Sequence, residues 1–283
     1  HGFCLKSSGI LAQNLSRDQI KIWSQVGSAF NVISVSSQLE KYMASSTVNA
    51  SPNDCVVMGP QRAMGARNRT ESERSKARRM LQDAYAVKLG DDCQIIFYAP
   101  THRDHIQGLK RPVLFGFESV LLLNEELIRS NTFLFVREHG ISGTDPDDVG
   151  SNIIYTSKAA SIDFYLLYAG VDGLITDYSG IFLEYLTSHL KLGFWHYDIL
   201  DYRQARGFSI SEDVFKTGSQ VIDPNSLIEF IKLTSFSREQ SVSREFWHNL
   251  LYEKSTEEAL RLTVDEIKRR GNFVTSNFDE SCK

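Results

Sequence analysis

No stretch of this chain is apolar for the ~18 residues a membrane-spanning helix needs, and no signal-peptide pattern is visible within these residues. Its four cysteines (Cys4, Cys55, Cys93, Cys282) show neither CxxC nor CxH spacing. That argues against a zinc site or a disulfide framework and suits a reducing compartment. Three Asn-x-Ser/Thr triplets, at Asn14, Asn49 and Asn68, are the sort that arise by chance. Proline is scarce, at 6 residues, against 18 glycines and 42% hydrophobic residues, so there is material for a real core and the chain is neither disordered nor fibrous. The net charge of −4 gives no reason to expect bulk nucleic-acid binding. Basic residues do cluster between Arg62 and Arg79, but Glu and Ser interrupt them, as on a solvated helix face. GxSxG, HExxH and P-loop motifs are missing, as is a carboxylate pair at glycosidase spacing. His189 and His196 are too loosely placed to suggest a metal.

With 283 residues, the chain should form one large or two modest domains. Four short apolar runs read as strands buried on both faces: Gln94–Tyr98, Thr132–Val136, Gly173–Thr176 and Lys191–Trp195. Helical patterns at Phe117–Asn131, Ser161–Ala169, Ile181–His189, Pro224–Leu233 and Ser243–Arg270 separate or follow them, the last with a possible break. Alternation of this kind implies an α/β fold around a parallel sheet. Ahead of it, Arg17–Phe30 and Glu71–Tyr85 read as helices, and Val32–Val35 and Cys55–Met58 as strands. A domain boundary is expected near Tyr85–Asp92, giving domains at 1–85 and 86–283.

Ligands of open α/β sheets bind beyond the carboxyl ends of the strands. Polar residues collect there: Thr101 and Arg103, then His139, then Asp177 and Ser179, then Tyr197 and Asp198. In Asp177-Tyr178-Ser179-Gly180 a strand runs into a helix, so the Ser179 hydroxyl and free N–H groups could hold a phosphate. Equally, Ser179 could be a plain N-cap, worth ~1 kcal/mol. Arg103 could grip diphosphate oxygens in bidentate fashion or pair locally in a surface turn. His139 could donate to a phosphoryl oxygen or serve structurally. His1 stands at one end of a Gly-containing turn with Lys6 at the other, where position alone says little. Arg203 and Arg206 either add cations near the fourth strand or sit in a solvated loop. The aromatics Trp195, Tyr197, Tyr202 and Phe208 could stack on a base, though core packing explains most of them.

Taken in order, these pieces resemble the CDP-glycerol glycerophosphotransferase family of teichoic-acid and capsule polymer transferases. His1-Gly2-x-x-Leu5-Lys6 is similar to the family's His-Gly-Thr-Pro-Leu-Lys, and Gly59-Pro60-Gln61-Arg62 to a degraded Gly-x-Pro-Arg-Asn-Asp. Tyr98-Ala99-Pro100-Thr101-His102-Arg103 resembles Tyr-Ala-Pro-Thr-Trp-Arg, and Arg137-Glu138-His139 resembles Arg/Lys-x-His-Pro. Leu174-Ile175-Thr176-Asp177-Tyr178-Ser179 matches Leu-Ile-Thr-Asp-Tyr-Ser-Ser, and Tyr197-Asp198 through Arg206-Gly207-Phe208 the region that follows it. The chain departs at Gly140, Gly180, His102 and Phe3-Cys4, where the family has Pro, Ser, Trp and Thr-Pro.

The resemblance implies a GT-B-like α/β fold: a Rossmann-type nucleotide-binding domain from about residue 86, preceded by the C-terminal part of a second, acceptor-side domain. Because the chain begins at His1 and not Met, a segment of a longer protein is expected. The implied activity is transfer of glycerol phosphate from CDP-glycerol to a hydroxyl of a cell-surface polymer, releasing CMP. His1 and His139 would be catalytic, with Arg103, Thr101, Asp177, Ser179, Gly180 and Arg206 binding substrate. No metal, cofactor or nucleic acid is implied. The expected location is cytoplasmic, at the inner face of a bacterial membrane. The alternatives are a GT-B transferase using CDP-ribitol or a nucleotide sugar, and a non-catalytic nucleotide-binding module.

Overall fold

Two parallel sheets organise the chain. The computed structural model describes residues 5–59, 69–101, 114–137, 150–156 and 168–270. A small sheet pairs β1 (Ile33–Val35) with β2 (Cys55–Val57). The large sheet holds β3 (Gln94–Ala99), β4 (Thr132–Val136), β5 (Ile153–Tyr155), β6 (Gly173–Thr176), β7 (Lys191–Phe194) and β8 (Ser219–Gln220). Their order is β5-β4-β3-β6-β7-β8, all parallel. The chain thus winds outward from β3 to β5, returns to lay β6 against the other side of β3, and winds outward again. This is the doubly wound arrangement, with its direction reversing between β3 and β6.

Alternation along the strands explains why both sheet faces are buried. Ile95, Phe97 and Ala99 enter one core cluster with Phe135, Leu174 and Phe194, while Ile96 and Tyr98 enter a second with Leu134, Val136, Ile175 and Trp195. A two-residue period sends successive side chains to opposite faces, so a near-continuous apolar run fills both layers.

Helices cover these faces, and their starts are written locally. Ser16 with Gln19, Thr70 with Glu73, and Ser237 with Gln240 form reciprocal capping boxes for α1 (Arg17–Val26), α3 (Glu71–Tyr85) and a later helix, Arg238–Leu251. Ser37 caps α2 (Gln38–Val48) and Ser119 caps α4 (Val120–Arg129). After β7 come α5 (Ile199–Ala205), α6 (Pro224–Lys232), α7 (Arg238–Leu251) and α8 (Thr256–Arg270). The helical stretch expected over Ser243–Arg270 does carry a break, at Tyr252–Ser255, and its first helix begins earlier, at Arg238. The helix expected over Ser161–Ala169 lies almost wholly outside the described residues.

One expected helix takes another form. A helix is expected over Ile181–His189; the chain forms a 3-10 helix over Gly180–Tyr185 and then turns. The crossover must return to β7 at Lys191, which leaves room for only a short, tight rod.

Helix α3 lies on the large sheet. Ala77 and Leu81 are buried, and Leu81 joins the cluster containing Phe97 and Phe135. Its arginines meet Asp172 at the start of β6: Arg78 at 2.7 Å, Arg74 at 2.9 Å, and Arg69, just before the helix, at 3.9 Å. Asp172 also accepts from Ile95 N at 2.9 Å, binding β3 to the same hub. The small sheet is tied to the C-terminal helices by Glu253, whose carboxylate accepts from Gln38 N at 2.6 Å and whose N–H donates to Ser36 O.

Candidate functional site at the sheet reversal

Where the winding reverses, the ends of β3 and β6 lie side by side, Ala99 in register with Thr176. The Thr176 hydroxyl donates to Ala99 O at 2.6 Å. Just beyond, the Thr101 N–H donates to both Asp177 carboxylate oxygens, at 2.8 and 3.0 Å, and Tyr178 N–H donates to the same carboxylate. Two sequence-predicted site residues are thus joined at the point where open α/β sheets hold ligands. Asp177 has no accessible surface and Thr101 is buried. The carboxylate joins the two strand ends through these backbone bonds, the geometry of an orienting group. Thr101 likewise offers this bond through its backbone.

Behind this junction stands an aromatic stack that sequence reasoning did not find. The Tyr178 ring lies 3.9 Å from that of Tyr202 and 5.1 Å from that of His196, nearly parallel to the latter. The Tyr178 hydroxyl donates to Asp198 Oδ1 at 2.9 Å. His196 Nε2 lies 3.1 Å from Asp177 O, where the Nε2–H tautomer donates. Burial pushes the His196 imidazole below its ordinary pKa, opposed by its bond to that carbonyl, so the ring is held neutral near pH 7. Tyr197-Asp198 and Tyr202 were visible in the sequence as polar and aromatic residues, but nothing there paired them with Tyr178. Trp195 and Tyr202 are buried, in keeping with core packing.

Ser179 and Gly180 follow at the start of the 3-10 helix, both half-buried. The Ser179 side chain makes no capping bond to the helix, so the plain N-cap reading has no support here. A rod of this length also lacks the aligned dipole of a long α-helix, which weakens the anion argument drawn from an expected α-helix.

Gly180 and Arg206 line one side of a cavity of about 690 Å³; Lys6, Ser7, Ser8, Trp23 and Ile33 are among the residues lining the rest. Two elements two hundred residues apart meet at its rim. Lys6 bridges Phe208 in antiparallel fashion, Ser7 N–H donates to Gly207 O, and Ser209 N–H donates to Leu5 O. Gly207 takes φ +75°, and a Cβ there would lie 2.7 Å from Gln13 Nε2, so the close approach suits glycine. The end of the first sequence element and the Arg-Gly-Phe element are therefore parts of one surface. His1, Arg103 and His139 lie outside the described residues. Among the described residues, no group of three or more His, Cys, Asp or Glu could hold a metal, and no helix is long and apolar enough to cross a membrane.

Comparison with known proteins bears on this geometry. Residues 1–254 match the family described as CDP-Glycerol:Poly(glycerophosphate) glycerophosphotransferase. Over 141 residues the chain is 30% identical to the teichoic acid ribitol-phosphate primase of Bacillus spizizenii, which covers 48% of this chain and 34% of that protein. It is 29% identical over 140 residues to the teichoic acid glycerol-phosphate primase of Bacillus subtilis, covering 49% and 35%. The wall teichoic acid polymerase TagF superposes with TM-score 0.69 over 95% of this chain and 66% of that one, at 19% identity. A TagF variant soaked with CDPG gives 0.72 over 95% and 66%, also at 19%. The alignments thus span about a third of the curated relatives and about two thirds of TagF. At that identity the superposition establishes the fold, and the GT-B-like α/β architecture implied by the motifs is the one found. The chain belongs to the CDP-glycerol:poly(glycerophosphate) glycerophosphotransferase family.

Proposed function

We propose that the protein transfers glycerol phosphate from CDP-glycerol to a hydroxyl of a cell-surface polymer, teichoic acid or capsule, and releases CMP. The observation that carries this reading is the Thr101–Asp177 junction at the sheet reversal, formed by the two strand-end elements that resemble the family most closely. In the proposed step, the acceptor oxygen attacks the glycerol-bearing β-phosphorus. A P–O bond forms there, the bond to CMP breaks, and CMP leaves with the electron pair. His1 takes the acceptor proton, while His139 and Arg103 offset charge on the separating diphosphate. Backbone N–H groups of Ser179 and Gly180, with the Arg206 guanidinium, face the donor. Asp177 orients the strand ends that carry them. A general base in this role is worth about 10²–10⁴ in rate, so a loss below tenfold in His1→Ala would sink the assignment.

The proposal extends to organisation. Two domains are proposed, with the boundary near Tyr85–Asp92; the packing of Leu81 into the large-sheet core and the Arg78–Asp172 pair support close association of α3 with the nucleotide-binding domain. The acceptor would be a polymer or lipid-linked primer met at the cytoplasmic face of a bacterial membrane, with peripheral association through parts of the protein outside the described residues. A second donor has one observation in its favour: a curated relative is a ribitol-phosphate primase.

The test is CMP release by the full-length protein with CDP-glycerol, CDP-ribitol and nucleotide sugars, each with and without a glycerol-phosphate-primed acceptor. Acceptor-dependent release from CDP-glycerol supports the proposal. Release from CDP-ribitol or a nucleotide sugar alone moves the donor, and binding of CDP-glycerol without release from any donor points to a nucleotide-binding module.

A further inference from the structure

We propose that Arg244 is a positioning residue for the Asp177–Gly180 strap: from α7 it grips the far end of the 3-10 helix Gly180–Tyr185 and so fixes where the strap lies at the sheet reversal. The proposal rests on the reading that this strap faces the donor.

Arg244 is only 4% exposed, and among the described residues no carboxylate forms an ion pair with it. Its guanidinium is spread over four carbonyls instead. Nε donates to Leu186 O at 2.9 Å, Nη2 to Tyr185 O and Ser188 O at 2.8 Å each, and Nη1 to Leu190 O at 3.3 Å. The Phe236 ring lies 4.0 Å from the guanidinium carbon. Burial alone pushes the Arg244 pKa down to about 10, so it remains a cation at neutral pH. A buried cation without a counter-ion is costly unless its donors are satisfied, and here they are satisfied only while the chain from Tyr185 to Leu190 keeps this one reversal. The planar fork of donors reads that shape; a lysine, a point charge with three donors, cannot serve four carbonyls held in such directions.

The consequence for the site follows from the rod between them. A 3-10 helix rises ~2.0 Å per residue, so Gly180–Tyr185 spans about 12 Å. Phe182, Leu183 and Tyr185 are buried within the core, so the rod passes a displacement at one end on to the other. One end is pinned by Arg244 and the other by the bonds from Thr101 and Tyr178 to Asp177. Loosening the Arg244 end leaves Ser179 and Gly180 held by the Asp177 bonds alone, which fix one end of the rod but not its direction. Misplacement by about 1 Å at a distance from the chemistry can cost on the order of 10²-fold in rate.

The experiment uses the full-length protein with Arg244→Lys, the milder Phe236→Leu, and Leu127→Ala as a control on the opposite sheet face. Amide hydrogen exchange of Tyr178–Gly180 and the KM for CDP-glycerol are read together with thermal stability. Arg244→Lys is expected to speed exchange in the strap selectively, by about tenfold or more, and to raise KM by about 10-fold or more. Leu127→Ala should lower stability and speed exchange evenly across the sheet, with KM unchanged. Should Arg244→Lys fail to fold, Phe236→Leu carries the same comparison at smaller amplitude. Unchanged strap exchange in a folded variant overturns the proposal, as does faster exchange with an unchanged KM, which would leave Arg244 a helix cap. A parent protein inert toward CDP-glycerol defeats the functional reading instead, and the exchange comparison then decides the positioning role alone.

Discussion

Replacing Asp172 by asparagine removes the anion around which three arginines and a strand are assembled. Its carboxylate lies 2.7 Å from Arg78, 2.9 Å from Arg74 and 3.9 Å from Arg69, and it accepts from Ile95 N–H at 2.9 Å. The Asp172 side chain is 17% exposed and that of Arg78 9%, whereas Arg74 and Arg69 reach solvent at 23% and 25%. Removing one partner of a fully buried pair costs ~3–5 kcal/mol because an uncompensated charge is left behind. Solvent reaching Arg74 and Arg69 reduces this, and the Asn amide oxygen retains one acceptor, so a loss of about 2–4 kcal/mol is expected. The assay is urea unfolding followed by far-ultraviolet circular dichroism, with the m-value checked for constancy. Arg203→Gln provides the contrast. Arg203 forms a bidentate pair with Glu212 at 2.7 Å, but both side chains are open to solvent, and no measurable change in midpoint is expected there. A loss below ~0.5 kcal/mol in Asp172→Asn, typical of a surface pair, would refute the idea that this hub docks α3 on the sheet.

Other perturbations address the site itself. Tyr178→Phe deletes a hydroxyl that donates to the buried Asp198 carboxylate and should cost about 1–3 kcal/mol by denaturant unfolding; a neutral result would detach the stack from the junction. The buried His196 has a lowered pKa, so as pH falls the unfolded chain takes up this proton first and stability declines from about pH 6.5 downward. His196→Asn should therefore lose less stability than the parent between pH 7 and 5.5, and an equal or steeper loss contradicts the assignment. Gly207→Ala forces a side chain into φ +75° and should cost roughly 1–2 kcal/mol, read as a lower thermal midpoint; an unchanged midpoint would mean that the Lys6–Phe208 rim tolerates rearrangement.

The strands that build the reversal could be read from the sequence because each is a compact apolar run. The runs Thr132–Val136 and Gly173–Thr176 coincide with β4 and β6, and Gln94–Tyr98 falls one residue short of β3. β5 and β8 are only Ile153–Tyr155 and Ser219–Gln220, too short for a period to register. Helix α2 is hard to read from the sequence because Ser45, Ser46 and Thr47 obscure its apolar face, although Ser37 followed by Glu40 is a capping signal. At the site, position was legible and role was not. Asp177 lies where the motif put it, but its burial and backbone partners follow from strand register, which residue types do not encode. The Tyr178–His196 stack and the four carbonyls around Arg244 likewise depend on how the crossover to β7 folds back.

The central claim is that the crevice at the β3–β6 reversal holds the diphosphate of CDP-glycerol, and the most direct measurement is a hydrogen-exchange footprint of the full-length protein with saturating CDP-glycerol. The account predicts slowed exchange at residues 99–101 and 177–180, at the rim formed by Arg206–Phe208, and nowhere comparable at the opposite end of the sheet around Asp172. Protection confined to other segments, or none at concentrations that support CMP release, would contradict it.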